Sequence, residues 1–303
     1  MNRRSLLQGI LLGAAALPLH RLAFAMLAVP AAHDVDAVAA HLAALERQHG
    51  GRLGVAMLDT GSGQHVGHRA DERFLMCSTF KLLAAAAVLA RVDQGSEQLD
   101  RRITYGKDVL LEWAPETSRH VGAQGMTVGE LCQAAITVSD NTAANLLLTS
   151  LGGPAAVTAF VRTLGDPLTR LDRIEPELNR TRPGDLRDTT TPAAMLADMQ
   201  ALLLGDALSP ASRGQLIEWL CGNTTGNQQL RAGLPAGWRI GDKTGSGAQQ
   251  ETNDIAIIWP PQRKPLLVTA YYTGSAADKD GRHAVLAAVG RLAASIRVST
   301  GGK

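Results

Sequence analysis

The sequence predicts an α+β protein in which five antiparallel strands from both ends of the chain form one sheet, flanked by the terminal helices, with an all-helical subdomain between and a site in the cleft. Three observations carry this. Strand-like segments cluster near residues 52–69 and again beyond residue 238, and not between. The middle is rich in Ala and Leu at helical spacing. Both ends carry a helix-period apolar stripe, over 34–50 and 280–296.

Taken in order, Val35, Val38, Leu42 and Leu45 line one face of the first helix, which Gly50-Gly51 stops. Residues 52–59 alternate, with Leu53, Val55 and Met57 on one face, as in a half-buried strand. Gly61-Ser62-Gly63 turns the chain, and 64–69 returns as a second strand. Residues 80–92 read as a helix ended by Gly95. Thr127 with Glu130 three residues on is a capping box, and Pro192 after Thr190-Thr191 marks another helix start. Residues 166–192 are polar, proline-bearing and without period, the mark of a long segment that is either functional or disordered. Strands follow at 238–242, 255–259 and 266–272. Val285, Leu286, Val289, Leu292 and Ile296 then stripe the last helix.

Residues 1–25 have the three parts of an export signal: a basic start at Arg3-Arg4, an apolar stretch over 9–19, and a small-x-small site at Ala23-Phe24-Ala25. The paired arginines favour the twin-arginine route over an ordinary Sec signal. Of 30 Lys+Arg, three lie in this segment with no acid, so removing it leaves 27 against 28 Asp+Glu and a net charge of −1. Neither a basic run nor a basic-aromatic stripe suggests nucleic acid, and no later segment is apolar and long enough to span a membrane. Residues 26–303 are expected to be one domain, with 34–69 and about 220–303 forming the sheet part and about 70–219 the helical part. The three cysteines, Cys77, Cys132 and Cys221, have no CxxC spacing and are expected as small buried residues. No metal is expected: HExxH is absent, and His65 and His68 form an isolated pair on a solvent-facing strand.

Four short motifs carry the chemistry. Ser78-Thr79-Phe80-Lys81 opens an Ala/Leu helix, whose start offers free N–H groups and positive potential, with Lys81 on the face that carries Ser78. Alone it is equally a capping serine and a surface lysine. Ser139-Asp140-Asn141 alone is three turn-forming residues. Arg173-Ile174-Glu175-Pro176-Glu177-Leu178-Asn179 alone is a solvated acidic loop. Lys243-Thr244-Gly245-Ser246-Gly247 follows a strand; it is not a phosphate loop, because Asp242 stands where that motif needs glycine.

All four in this order, with about 60 residues between the first two, resemble the class A serine β-lactamases over 34–296. The resemblance implies an acyl-serine hydrolase of penicillins and cephalosporins that confers antibiotic resistance, needs no cofactor, acts as a periplasmic monomer and has no macromolecular or membrane partner. It implies Ser78 as nucleophile, Lys81 or Glu175 as acylation base, Ser139 as proton shuttle, and Glu175 with Asn179 holding the deacylating water. Asn141, Lys243, Thr244, Gly245 and Ser246 would bind substrate. Ser78 and Ser246 N–H groups would form the oxyanion hole. Arg173 with Asp188 would close the loop's neck, and Asp140 would hold its own loop. Trp113 stands either at the cleft mouth or as an ordinary half-buried residue. Arg282 and Arg231 are both candidates to back the carboxylate pocket. Cys77 resembles the disulfide-bearing carbapenemases, but the partner position is near Gly247, so no disulfide is expected, which counts against carbapenem hydrolysis. Ser246-Gly247 resembles cephalosporin-active members. A DD-peptidase shares three of the motifs but lacks the deacylating glutamate, and a β-lactam sensor would need an anchor or signalling partner.

Overall fold

The computed structural model describes residues 35–180, 182 and 184–296. The export segment and Asp34 lie outside the described residues. The elements, in chain order, begin with α1 (Val35–His49), β1 (Arg52–Asp59), β2 (Gln64–His68), β3 (Phe74–Leu75) and α2 (Phe80–Asp93). β4 (Arg102–Tyr105), β5 (Gly122–Thr127), α3 (Val128–Thr137), α4 (Asn141–Leu151) and α5 (Pro154–Thr163) follow. The rest are β6 (Thr189–Thr190), α6 (Pro192–Leu203), α7 (Pro210–Cys221), β7 (Arg239–Ser246), β8 (Thr252–Trp259), β9 (Leu266–Thr273) and α8 (Lys279–Ser295).

The protein is α+β, with a five-stranded sheet in the order β2-β1-β9-β8-β7 and every pairing antiparallel. β1 is buried along nearly its whole length rather than on one face. The reason is layering: side chains alternate between two apolar clusters. Leu53, Val55 and Met57 pack with Val38 and Leu42 of α1 and Val289 of α8. Ala56 and Leu58 face the other way, into a larger cluster that holds α2, α3, α4 and α6. β8 divides likewise, with Ala256 and Ile258 toward the terminal helices and Ile255 and Ile257 toward the helical layer. The terminal helices therefore cover one face, the helical layer covers the other, and β7 is left as an edge strand beside the seam.

Helix starts follow their capping chemistry. Thr127 Oγ1 accepts from Glu130 N at 3.1 Å and Glu130 Oε2 accepts from Thr127 N at 2.7 Å, the expected box. Thr191 caps α6 ahead of Pro192, and Asp140 caps α4. Among the described residues between α5 and α6, the long segment holds only a 3-10 turn, Glu177–Asn179, and the two residues of β6, which pair with β3.

Two expectations change. Cys77 and Cys132 are buried, but Cys221 is only half-buried; all three are free thiols. His65 is exposed, whereas His68 turns inward to Glu46 at 3.1 Å, because residues three apart on a strand point to opposite faces. Among the described residues no cluster of three His, Cys, Asp or Glu could hold a metal.

Asp198 of α6 is buried against Asp166, at the root of the long loop, and burial pushes its carboxyl up to about 9, with Arg162 opposing. The folded protein keeps this acid neutral where the unfolded chain ionises it near 3.8. Its cost to stability thus grows as pH rises from the lower value toward the upper. Asp198→Asn retains a donor for Asp166 and removes the titration. Thermal unfolding should show the variant gaining on the parent from about pH 4 to about pH 8; a pH-independent gap would refute this.

Candidate active site

The position of Ser78 is built by a short turn rather than by the helix proper. Residues Cys77–Thr79 form a 3-10 turn, and α2 begins at Phe80. Cys77 sits at φ 46°, a left-handed conformation that costs of order 1–3 kcal/mol in a non-glycine residue. This kink turns Ser78 into the seam, where it stays 8% exposed. β7 runs directly against the turn: a Cβ at Gly245 would lie 2.8 Å from Met76 O and 3.2 Å from Ser78 N. Only a glycine lets the strand pass this close. β7 extends through Ser246, so the Lys243-Thr244-Gly245-Ser246 run lies within the edge strand, as the family resemblance implies, although the apolar pattern ends the strand at residue 242.

Ser78 Oγ donates to Glu175 Oε1 at 3.3 Å. Lys81, fully buried, is 3.4 Å from that same oxygen and donates to Ser139 O at 2.8 Å, Ser139 Oγ at 3.3 Å and Asn141 Oδ1 at 2.6 Å. From the strand side Lys243 donates to Ser139 Oγ at 3.1 Å and to Thr244 O at 2.9 Å. Ser139 is held between the two amines at φ 59°, a second left-handed residue. Asp140 beneath it accepts from Glu116 N, Thr117 N, Thr117 Oγ1 and Ala143 N at 2.8–3.0 Å, which fixes the loop.

Glu175 arrives from the long loop and is locked from three sides. Asn145 of α4 takes its backbone N–H and donates to its carbonyl, both at 2.9 Å. Asn179 Nδ2 donates to Oε2 at 2.5 Å. At the loop's neck Arg173 Nε donates to Asp188 Oδ2 at 2.5 Å, and Asp188 Oδ1 accepts from the N–H groups of Asp172 and Arg173 at 2.8 and 2.9 Å. Asn179 Oδ1 is buried and has no hydrogen-bond partner.

Burial lowers the Lys81 amine from its usual value, while Glu175 pulls it back up. Burial, reinforced by the Lys81 charge, pushes Lys243 down to about 7. Cys77, wholly buried, is pushed well up by desolvation and stays a thiol.

A cavity of about 400 Å³ opens over this cluster, lined by Ser78, Ser139, Asn141, Asn179, Thr244 and Ser246. Trp113 stands at its mouth, 55% exposed and not half-buried, with Nε1 donating to Val138 O at 3.0 Å. The structure thus gathers every motif residue named from the sequence except the neck pair, which braces the loop from behind. Neither candidate arginine lines the cavity. Arg231 Nη2 is bound to Asp242 Oδ1 at 2.5 Å, and Arg282 is held by Thr252 Oγ1 and Ala277 O. Lys279 and His283 of α8 and Gln229 line it instead, with Thr225, whose hydroxyl meets that of Thr244 at 2.5 Å. No sequence motif flagged these four or Asn145. Capping and amphipathic patterns do not report which way an exposed helix face looks. At Gly247 a side chain would meet the Cys77 thiol and the Glu251 carboxylate, so this corner is shared by a glycine and a free cysteine.

A buried serine in contact with a carboxylate, beside two buried amines and an edge strand, is the layout of an acyl-transferring serine hydrolase. The model of the β-lactamase enzyme family matches residues 37–296. β-Lactamase OXY-1 of Klebsiella oxytoca is 49% identical over 86% of this chain and 89% of its own length. β-Lactamase L2 of Stenotrophomonas maltophilia is 51% identical, covering 92% of each. The solved structure of an ancestral (GNCA) class A β-lactamase is 67% identical, covers 84% of this chain and 98% of its own, and superposes with a TM-score of 0.83. The chain belongs to the class A serine β-lactamase family.

The shared hydroxyl between Lys81 and Lys243 has a consequence for pH. A protonated Lys243 would attract an anion in the cavity and a neutral one would not, so any anion affinity it supplies is full below its pKa and fades above it. A bound anion raises that pKa, which places the limb above about 7. KM for a penicillin should therefore rise on the alkaline side, and Lys243→Arg should remove that limb; an identical alkaline limb in the variant would exclude Lys243 as its source.

Proposed function

We propose that the protein hydrolyses penicillins and cephalosporins through an acyl-enzyme on Ser78, with Glu175 as general base, and so confers β-lactam resistance. The 3.3 Å contact between Ser78 Oγ and Glu175 Oε1 carries the reading. Lys81 has its hydrogens committed to Ser139, Asn141 and Glu175. The serine hydroxyl points at the carboxylate, which favours Glu175, directly or through one water, as its acceptor in acylation. As Oγ bonds to the lactam carbonyl, the N–H groups of Ser78 and Ser246 would carry the oxyanion, a donor there being worth about 3–4 kcal/mol. The C–N bond then breaks and the ring nitrogen takes the hydroxyl proton of Ser139. Lys81, within 3.3 Å of Ser139 Oγ, replaces it and is itself reprotonated from Glu175. The serine proton ends on the nitrogen and the balance closes.

For deacylation, Glu175 takes a proton from a water that attacks the ester, and returns it to Ser78 as that oxygen leaves. The partnerless Asn179 Oδ1 is an acceptor suited to orient that water. Lys243, Thr244 and Ser246 would take the substrate carboxylate, Asn141 the side-chain amide, and Trp113 the rim. We further propose that residues after 25 form one catalytic domain and that the Arg3-Arg4 signal exports it to the periplasm by the twin-arginine route.

Glu175→Ala should accumulate a penicilloyl adduct on Ser78, seen as added mass on the intact protein, with turnover lower by about 10²–10⁴-fold. Ser78→Ala should show no adduct. Fast turnover by the glutamate variant would remove Glu175 from deacylation.

A further inference from the structure

We infer that Asn253 is a positioning residue for acylation: its side-chain amide ties the turn that carries Ser78 to the sheet, and so sets the spacing of the two N–H groups that would receive the oxyanion. This rests on the hydrolase reading above. Asn253 lies in β8, directly opposite Gly245 of β7, and is 1% exposed. It shares a strand face with Ile255 and Ile257, the face that looks into the helical layer. There its Nδ2 donates to Leu75 O at 2.9 Å and to Met76 O at 3.2 Å.

The residue type is what needs explaining. Asparagine is disfavoured in strands, and a buried amide costs free energy unless it is hydrogen-bonded. An apolar side chain would have continued the run of Ile255 and Ile257. An amide nitrogen offers two hydrogens, and two successive carbonyls take them. Those carbonyls immediately precede Cys77, whose φ of 46° turns Ser78 into the seam. Other ties on this turn come from the long loop and from the turn itself. Met76 N donates to Asp188 O at 2.9 Å, and Thr79 N and Oγ1 return to Met76 O at 3.2 and 2.8 Å. Asn253 ties it to the sheet.

The two oxyanion donors therefore have one reference. The Ser246 N–H belongs to β7, whose ladder with β8 sets Gly245 against Asn253 and Ser246 against Thr252. The Ser78 N–H follows the carbonyls that Asn253 holds. Gly245 lets β7 lie against the turn, and Asn253 fixes where the turn stops. A small shift of the turn is felt most where charge develops, in the transition state, and little in the substrate complex.

Two variants test this. Asn253→Leu keeps the buried volume and removes both donors; Asn253→Gln keeps the amide on an arm one methylene longer. Both would be assayed as folded protein at low temperature, with thermal unfolding recorded separately. The pre-steady-state acylation rate constant with a penicillin should fall about tenfold or more, with the dissociation constant of the preceding complex little changed. Phenylboronic acid, which becomes tetrahedral on Ser78 and presents an oxygen to the same two N–H groups, should bind about tenfold more weakly. In the Glu175→Ala background the trapped ester should show its carbonyl stretch at higher wavenumber, because weaker hydrogen bonds polarise it less. A lower melting temperature with acylation, boronate affinity and carbonyl stretch all unchanged makes Asn253 a structural strut, and overturns the inference while leaving the hydrolase reading intact. A parent protein that a penicillin does not acylate at Ser78 overturns both.

Discussion

The arrangement depends on one buried charge cluster: Lys81 and Glu175, 3.4 Å apart with neither side chain exposed to solvent, the carboxylate accepting from Ser78 Oγ and the amine donating to Ser139 Oγ. Burying an isolated ion costs several kcal/mol even after relaxation. The cluster persists because every ion in it has fixed partners. Lys81 has three oxygens besides the carboxylate, and Glu175 has Asn179 and Ser78. Removing any member would leave a desolvated charge behind, so the surrounding fold is constrained to hold all of them at once. It also sets the reactivity, because the desolvation that makes the cluster costly is what keeps the amines ready to exchange protons.

The rest of the molecule can be read as scaffolding for that constraint. The members come from five places: the turn before α2, the first turn of α2, the loop before α4, the long loop, and the edge strand β7. Two apolar clusters, one on each side of the sheet, hold these pieces with little freedom to shift. The local backbone then takes up the misfit. Six non-glycine residues adopt positive φ among the described residues, and three of them, Cys77, Ser139 and Asp188, sit beside, in, or behind the cluster. Strain gathers where side chains must be aimed rather than where the chain merely turns.

Much of this was legible in the sequence, and the failures have physical causes. The terminal helices, the hairpin and the capping box were read from periods and caps that tertiary packing did not override. β7 and β8 were read too short because Lys243, Thr244, Asn253 and Asp254 are buried polar residues, and polarity hides a strand from a hydrophobic pattern. The small pairs β3–β6 and β4–β5 carry too few residues to show a period. The motif residues were found by their order along the chain, but their convergence was not in any one motif. Lys81 reads as an ordinary amphipathic lysine until the layer above it is known. Lys279 and His283 had no signal at all, since a helix's first turn is expected to carry charge whatever it faces.

The comparison between a hydrolase and a protein that merely accepts the drug turns on the long loop. Ser78, Lys81, Ser139 and Lys243 would suffice to form an acyl-serine, and a DD-peptidase shares them. What sets this chain apart is a carboxylate delivered from outside the helical layer. Its position is over-determined by Asn145 on the backbone, Asn179 on the side chain and the Arg173–Asp188 pair at the neck. The two asparagines act at the glutamate and the ion pair acts from a distance. A loop tied at both scales stays in place while the ester forms next to it. A carboxylate touching the serine oxygen can activate a water on the same ester, and a mobile one would leave the acyl group standing. On the proposed mechanism, the anchoring of an irregular segment, rather than the presence of the nucleophile, would separate turnover from capture.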